Sequence, residues 1–306
     1  MKLSIHIPID IDDRVEFQNG AAVRAMAQAI EKAGIDACYI TDHPAPTARW
    51  RAAGGHDALD PFVGLMAVAA VTTKLRLHTN LVVLPYRNPF LTAKSVASLD
   101  VLSDGRVILG IGSGYLKGEY QALGADFEGR GAVMDEALET MIAAWSEEEV
   151  VREGRRFTAL GIRPRPLPVQ KPHPPIWSGG NSDRAIRRAV ELCDGWSPFF
   201  ATGALSKTTR TADLAGVEDL KAKIDVLRGH IDRVGRTRPF DICIGPQSGL
   251  KELTAAEADR WVNDAGEMSR LGATWTPCGV PHPSRQAFLD NIQWFGEEVV
   301  PKIHAI

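Results

Sequence analysis

Residues 38–46 read CYITDHPAP. An apolar run that begins at Ile35 ends in Thr41, Asp42 and His43, and two prolines then stop it. A strand so uniformly apolar belongs in a sheet covered on both faces, as parallel sheets are. Thr41, Asp42 and His43 therefore sit where the backbone leaves the core.

Working back, residues 19–33 place Val23, Met26, Ala27 and Ile30 on one helical face, with Gly34 as a stop. Before that, residues 2–9 alternate as a first strand. Working forward, a patternless loop after His43 holds Trp50, Arg51, His56 and Asp57. Asp60-Pro61 then caps a helix through residue 73. Strands are predicted over 75–84, 106–112, 175–178, 195–198, 239–245 and 273–276, and helices over 90–102, 131–145, 183–192, 217–234, 254–271 and 284–299. About eight strands alternate with about eight helices.

Such alternation implies a parallel sheet, because each helix returns the chain to the same end. The expected fold class is α/β, a (β/α)8 TIM barrel, with residues 1–306 as a single domain and insertions near 43–60, 115–130, 147–175 and 199–216. The proline-rich stretch 150–175 reads as an extended insertion or hairpin. An open doubly wound sheet would carry a dinucleotide fingerprint at its first strand, and none stands there. GIGSG at 110–114 does not supply one, since Tyr115 occupies the place of the last glycine.

A formal charge of −3 lacks the basic surplus that nucleic acid or an anionic membrane would attract. The longest apolar run, 65–71, is too short to span a bilayer, and the chain opens directly on a strand pattern. These features point to a cytoplasmic protein. Its 4 cysteines are scattered outside any CxxC pair and read as buried reduced thiols. His56-Asp57 offers two metal-ligand types, but no further cluster converges with them, so no metal is expected.

Barrel active sites lie at C-terminal strand ends. Here these are Asp42-His43, Thr79-Asn80, Gly112-Ser113 and Ser178-Gly179-Gly180-Asn181. In SGGNSDRAIRR the glycines allow close approach of an anion, Asn181 or Ser182 can cap the helix, and free amide groups favour negative charge.

TDHPAP (41–46), GGHDALDPF (54–62), LHTNLVVLPYRNPF (77–90), LDVLSDGRVILGIGSGYLKGEYQALG (99–124) and SGGNSDRAIRRA (178–189) together resemble the luciferase-like monooxygenase superfamily, and within it the coenzyme F420-dependent oxidoreductase branch. The resemblance implies a barrel with a bulged third strand and a non-prolyl cis peptide at Asn80-Leu81 behind a tricyclic ring. It implies hydride transfer between F420 and a small organic substrate, with Asp42 positioning and His43 handling a proton. Thr79, Asn80, Leu81, Gly112, Ser113, Ser178, Gly179, Gly180 and Asn181 join these two as candidate cofactor contacts. Gly112 is expected to make room for the ring or its side chain. Trp50, His56, Tyr115 and Phe199 are the candidate substrate pocket. Glu119 and Arg130 also fit family positions, as a structural pair or as site lining. The alternatives are an FMN-dependent monooxygenase of the same superfamily and a non-catalytic F420-binding protein. A homodimer is expected from the resemblance alone.

Overall fold

The computed structural model describes residues 1–9 and 16–306. Its main sheet has 8 strands. They are β1 (Lys2–His6), β2 (Ala37–Ile40), β3 (Arg76–Val83), β4 (Val107–Gly112), β5 (Ile176–Gly179), β6 (Gly195–Ser197), β7 (Asp241–Ile242) and β8 (Trp275–Cys278). The order is β8-β1-β2-β3-β4-β5-β6-β7, and every pairing is parallel. A parallel bridge from Cys243 to Trp275 and the bond from Thr274 N to Ile242 O (3.0 Å) bring β7 to β8 and nearly close the barrel.

β7 is shorter than the predicted 239–245 because its chain changes neighbours. Asp241 and Ile242 pair with β6, whereas Ile244 N donates to Trp275 O at 3.1 Å. The helix predicted over 61–73 ends at Ala69, and the Thr72 hydroxyl donates to Val68 O at 2.8 Å, where a hydroxyl competes with a further helical turn. Helices 183–192 and 217–234 have the predicted bounds. Ser182 accepts from Ala185 N to open the first, and Gly235, at φ +64°, closes the second in the left-handed conformation.

Apolar residues on both strand faces fill two spaces. Ile5, Cys38, Leu77, Leu109 and Ile176 pack outward against the helices, while Ala37, Ile108, Trp177, Cys243 and Trp275 form a separate cluster. Within that cluster Trp177 and Trp275 meet at 5.2 Å, and His78 lies 4.8 Å from Trp177. Burial pushes the His78 imidazole down to about 3, and its Nδ1 faces Ser4 Oγ at 3.0 Å.

The expected insertions carry short elements of their own: helices Ala48–Ala52, Lys117–Ala122 and Gly203–Thr209, and an antiparallel hairpin of Val150–Gly154 with Phe157–Ile162. Among the described residues no helix is long and apolar enough to cross a membrane.

Candidate active site

The register of β3 against β4 shifts between Thr79 and Val82, and the Asn80-Leu81 peptide inside the bulge is cis. The bulge puts the Leu81 side chain where three glycines would otherwise carry Cβ atoms. A Cβ at Gly179 would stand 2.2 Å from Leu81 Cδ1, one at Gly112 3.2 Å from it, and one at Gly110 2.9 Å from Cδ2. The space beside Gly112 that was expected for a ring is thus lined by Leu81. Gly110 has a second constraint, because its Cβ would meet Thr79 O at 2.1 Å.

Above this floor lies a cavity of about 760 Å³ at the C-terminal strand ends, a volume suited to a cofactor or small ligand. Of the predicted cofactor contacts, Asp42, His43, Asn80, Leu81, Gly112, Ser113, Gly179 and Gly180 line it. The others stand behind the wall. Thr79 Oγ1 donates to Gly110 O at 2.8 Å, and the Ser178 hydroxyl is buried without a partner among the described residues. Asn181 is fully buried and ties loops together: Nδ2 donates to Phe199 O (2.9 Å) and Ala212 O (3.0 Å), and Oδ1 accepts from Phe199 N (3.2 Å).

Asp42 leaves β2 into a part-buried ion pair. Its Oδ2 accepts from Val83 N and its Oδ1 from Arg87 Nη2, both at 2.9 Å, while Arg87 Nη2 also reaches Asp60 Oδ2 at 3.0 Å. Burial pushes the Asp42 carboxyl up, and Arg87 pulls it back. Burial opposes the charge on Arg87 as well, but Asp42 and then Asp60 hold the guanidinium above its ordinary value. With both oxygens engaged by the protein, Asp42 fixes the start of the helix after β3 relative to β2.

His43 faces a carboxylate across the cavity wall. Its Nδ1 lies 3.4 Å from Oε2 of Glu119, which also accepts the Tyr86 hydroxyl at 2.8 Å, and Oε1 of Glu119 accepts from Ala45 N at 3.3 Å. Glu119 is wholly buried. Burial and the bond to Glu119 keep the Tyr86 hydroxyl protonated far above its ordinary range. Rings enclose the imidazole: Trp50 at 4.6 Å, His56 at 5.0 Å and Tyr115 at 5.9 Å. Burial pushes the Tyr115 hydroxyl up to about 12.

Among the predicted substrate residues His56, Tyr115 and Phe199 line the cavity, whereas Trp50 backs His43 and His56. Asp57 pairs with Arg51 at 2.9 Å. Among the described residues no group of three or more His, Cys, Asp or Glu could hold a metal.

The loop expected to cradle an anion opens onto the cavity. Gly180 has φ +105°, its carbonyl accepts from Trp196 Nε1 at 2.8 Å, and Gly180, Ser182 and Arg184 line the cavity at the start of helix 183–192. First-turn amide groups of that helix have no intrahelical acceptor. The cavity also receives Arg130, Arg188 and Arg210, which strand-end reasoning did not bring to this place. Arg184 and Arg188 share the Asp135 carboxylate, whose charged form they stabilise against burial. The RAIRR spacing placed the last two on a helix, but Arg210 carried no local signal.

Two features fit a ring carrier with a phosphate tail: the buried Thr41 hydroxyl, which has no hydrogen-bond partner among the described residues, and the glycine-rich helix start at Gly180 and Ser182 in the same cavity. The comparisons agree in kind. A sequence model of the luciferase-like monooxygenase family matches residues 1–243. An FMNH2-dependent dimethylsulfone monooxygenase of Pseudomonas putida is 27% identical over 286 residues, which cover 89% of this chain and 72% of that protein. The solved monooxygenase of Streptomyces bottropensis superposes at TM-score 0.76, with 18% identity and full coverage of both chains. The coenzyme F420-dependent tetrahydromethanopterin reductase of Methanopyrus kandleri superposes at 0.72, with 16% identity over 99% of each chain. At these identities the two structural likenesses are ones of fold.

Proposed function

The chain belongs to the luciferase-like monooxygenase family, and from that premise we propose that it is an F420-dependent oxidoreductase acting on a small organic alcohol or carbonyl compound. A bound deazaflavin supplies the two-electron carrier, exchanging a hydride with the substrate carbon. The chain's residues orient both partners and manage one proton.

The observation that carries this reading is the His43 to Glu119 pair beside the cavity. Oxidising a carbinol removes a hydride from carbon and a proton from oxygen. With Nδ1 turned to Glu119, His43 Nε2 has no hydrogen-bond partner among the described residues and can take that proton, or return it when a carbonyl is reduced. Glu119 fixes the ring's orientation, and Trp50 packs at 4.6 Å from it. Asp42 keeps β2 and the β3 exit in register, and Thr41 offers its hydroxyl to the polar edge of the ring. The cradle at Gly180 and Ser182 suits the tail phosphate.

A second reading, an FMN-dependent monooxygenase, is favoured by the 27% identity to the dimethylsulfone enzyme, which extends over 89% of this chain. Spectral titration separates the two. Binding of F420, followed by its anaerobic reduction with an alcohol, supports the first. Tight binding of FMN without F420 binding, and oxygen consumption coupled to a flavin reductase, support the second and reject the first.

A further inference from the structure

We infer that a second cavity at the same end of the barrel holds an uncharged, ring-bearing substituent of the substrate, an inference that rests on reading the first cavity as a site for an alcohol or carbonyl compound. The second cavity has a volume of about 450 Å³, enough for a small-molecule group. Its walls come from the ends of three neighbouring strands, with His6 of β1, Tyr39 of β2 and Pro277-Cys278 of β8, and are completed by Leu250 and Trp261. The register makes this grouping: His6 stands opposite Tyr39, and Ile5 opposite Cys278.

Two observations join this space to the first cavity. Pro277 lines both. Tyr39 and Thr41 are alternate residues of the chain leaving β2, a spacing that puts side chains on one face; Tyr39 lines the second cavity, and Thr41 lines the first together with His43. A secondary alcohol or ketone reacting beside His43 therefore sends its larger substituent past Pro277.

The two cavities differ in chemistry. Asp, Glu and Arg side chains all line the first, whereas no Asp, Glu, Lys or Arg among the described residues lines the second. Its surfaces are rings and aliphatic carbon: His6 and Tyr39 meet at 5.3 Å, and Trp261 and Val280 are buried in its wall. An ionised substituent would lose its hydration there without a counter-charge. An apolar ring gains by leaving water and meets ring edges and faces. The walls also keep room for it. Gly249 and Gly279 line this cavity, and a Cβ on either would meet no atom within 4 Å. Neither glycine has the positive φ that requires one, so what their missing side chains leave is open space.

The test compares acetone with benzylacetone, and isopropanol with the alcohol that benzylacetone gives on reduction; each pair shares its reacting group and differs by one benzyl group. Calorimetric titration of the full chain, with and without F420, is expected to show benzylacetone bound at least about thirtyfold more tightly than acetone. Gly249→Leu and Gly279→Leu fill the space from two independent places. Each is expected to cut that preference about tenfold, with a matching fall in the ratio of kcat/KM for the two alcohols. No preference for benzylacetone, or equal effects on both ligands in both variants, overturns the second cavity as a substrate site. Benzylacetone bound and then lost in the leucine variants, with F420 never reduced by either alcohol, overturns the proposed reaction and leaves this site standing. Isopropanol oxidised with F420, and no preference for the variants to lose, does the reverse. Neither binding nor turnover overturns both.

Discussion

Nδ1 of His43 and Oε2 of Glu119 lie 3.4 Å apart, joined across 76 positions of sequence, and the same carboxylate oxygen holds the Tyr86 hydroxyl at 2.8 Å. The imidazole on the cavity wall is thereby oriented by a charge that water does not reach. Glu119→Gln keeps the size and an acceptor for Tyr86 but removes the charge. Single-turnover rates are expected to fall about a hundredfold while cofactor binding stays within about threefold. Parallel loss of both would make the pair a structural one.

Asp42, buried, and Arg87, part-buried, make a second relationship, and breaking it has a different signature. Asp42→Asn removes the charge beneath Arg87, leaving only Asp60, so unfolding stability is expected to drop by about 3 kcal/mol. Urea denaturation measures it. Arg87→Met, which removes the charge that Asp42 compensates, should cost at least as much.

The glycines around Leu81 are expected to differ in rank. Gly110→Ala drives a Cβ into the Thr79 carbonyl and is expected to cost more than about 3 kcal/mol, because backbone cannot yield. Gly112→Ala meets only the end of Leu81, at 3.2 Å, and is expected to cost about 1 kcal/mol. Gly179→Ala should be partly rescued by Leu81→Ala, a coupling that a double-mutant cycle of thermal midpoints would read.

Acid should act through His78. An unfolded imidazole gains its proton near pH 6.5, whereas the buried one holds out to about 3. Because the folded value is depressed, the contribution is whole above about pH 6.5 and is lost as pH falls toward the folded value. Between pH 7 and pH 5 the unaltered chain is expected to lose about 2 kcal/mol relative to His78→Gln. Parallel stability curves for the two proteins across that interval would remove His78 as the cause.

Much of the barrel was legible because its punctuation is local. Gly34, Gly235 and Gly272 end helices in the left-handed conformation, and Asn19, Asp60, Asn88, Ser182, Thr254 and Ser284 open them with side-chain caps. The strand-end positions Asp42, His43, Asn80 and Gly180 were found because parallel topology directs them to one rim. Helices 48–52, 117–122 and 203–209 were not found, since they are too short for an apolar period to declare itself. The contact of His43 with Glu119 depends on how two insertions fold over the rim. No spacing within either segment records it. Asn181 looked like a ligand contact because its side chain type suits both anions and loops, and only the positions of Phe199 and Ala212 show which partners occupy it.

The two-residue length of β7 gives the cylinder a seam. Around most of the ring each strand is laced to its neighbours along several residues, but from β6 through β7 to β8 continuity passes over Asp241, Ile242 and the single bridge of Cys243 to Trp275. A hoop under strain parts where its lacing is thinnest. The amides of Cys243, Ile244 and Thr274 should therefore trade hydrogen for deuterium sooner than those of β2 to β4, marking the slit through which the wall can breathe while the floor beneath Leu81 stays shut.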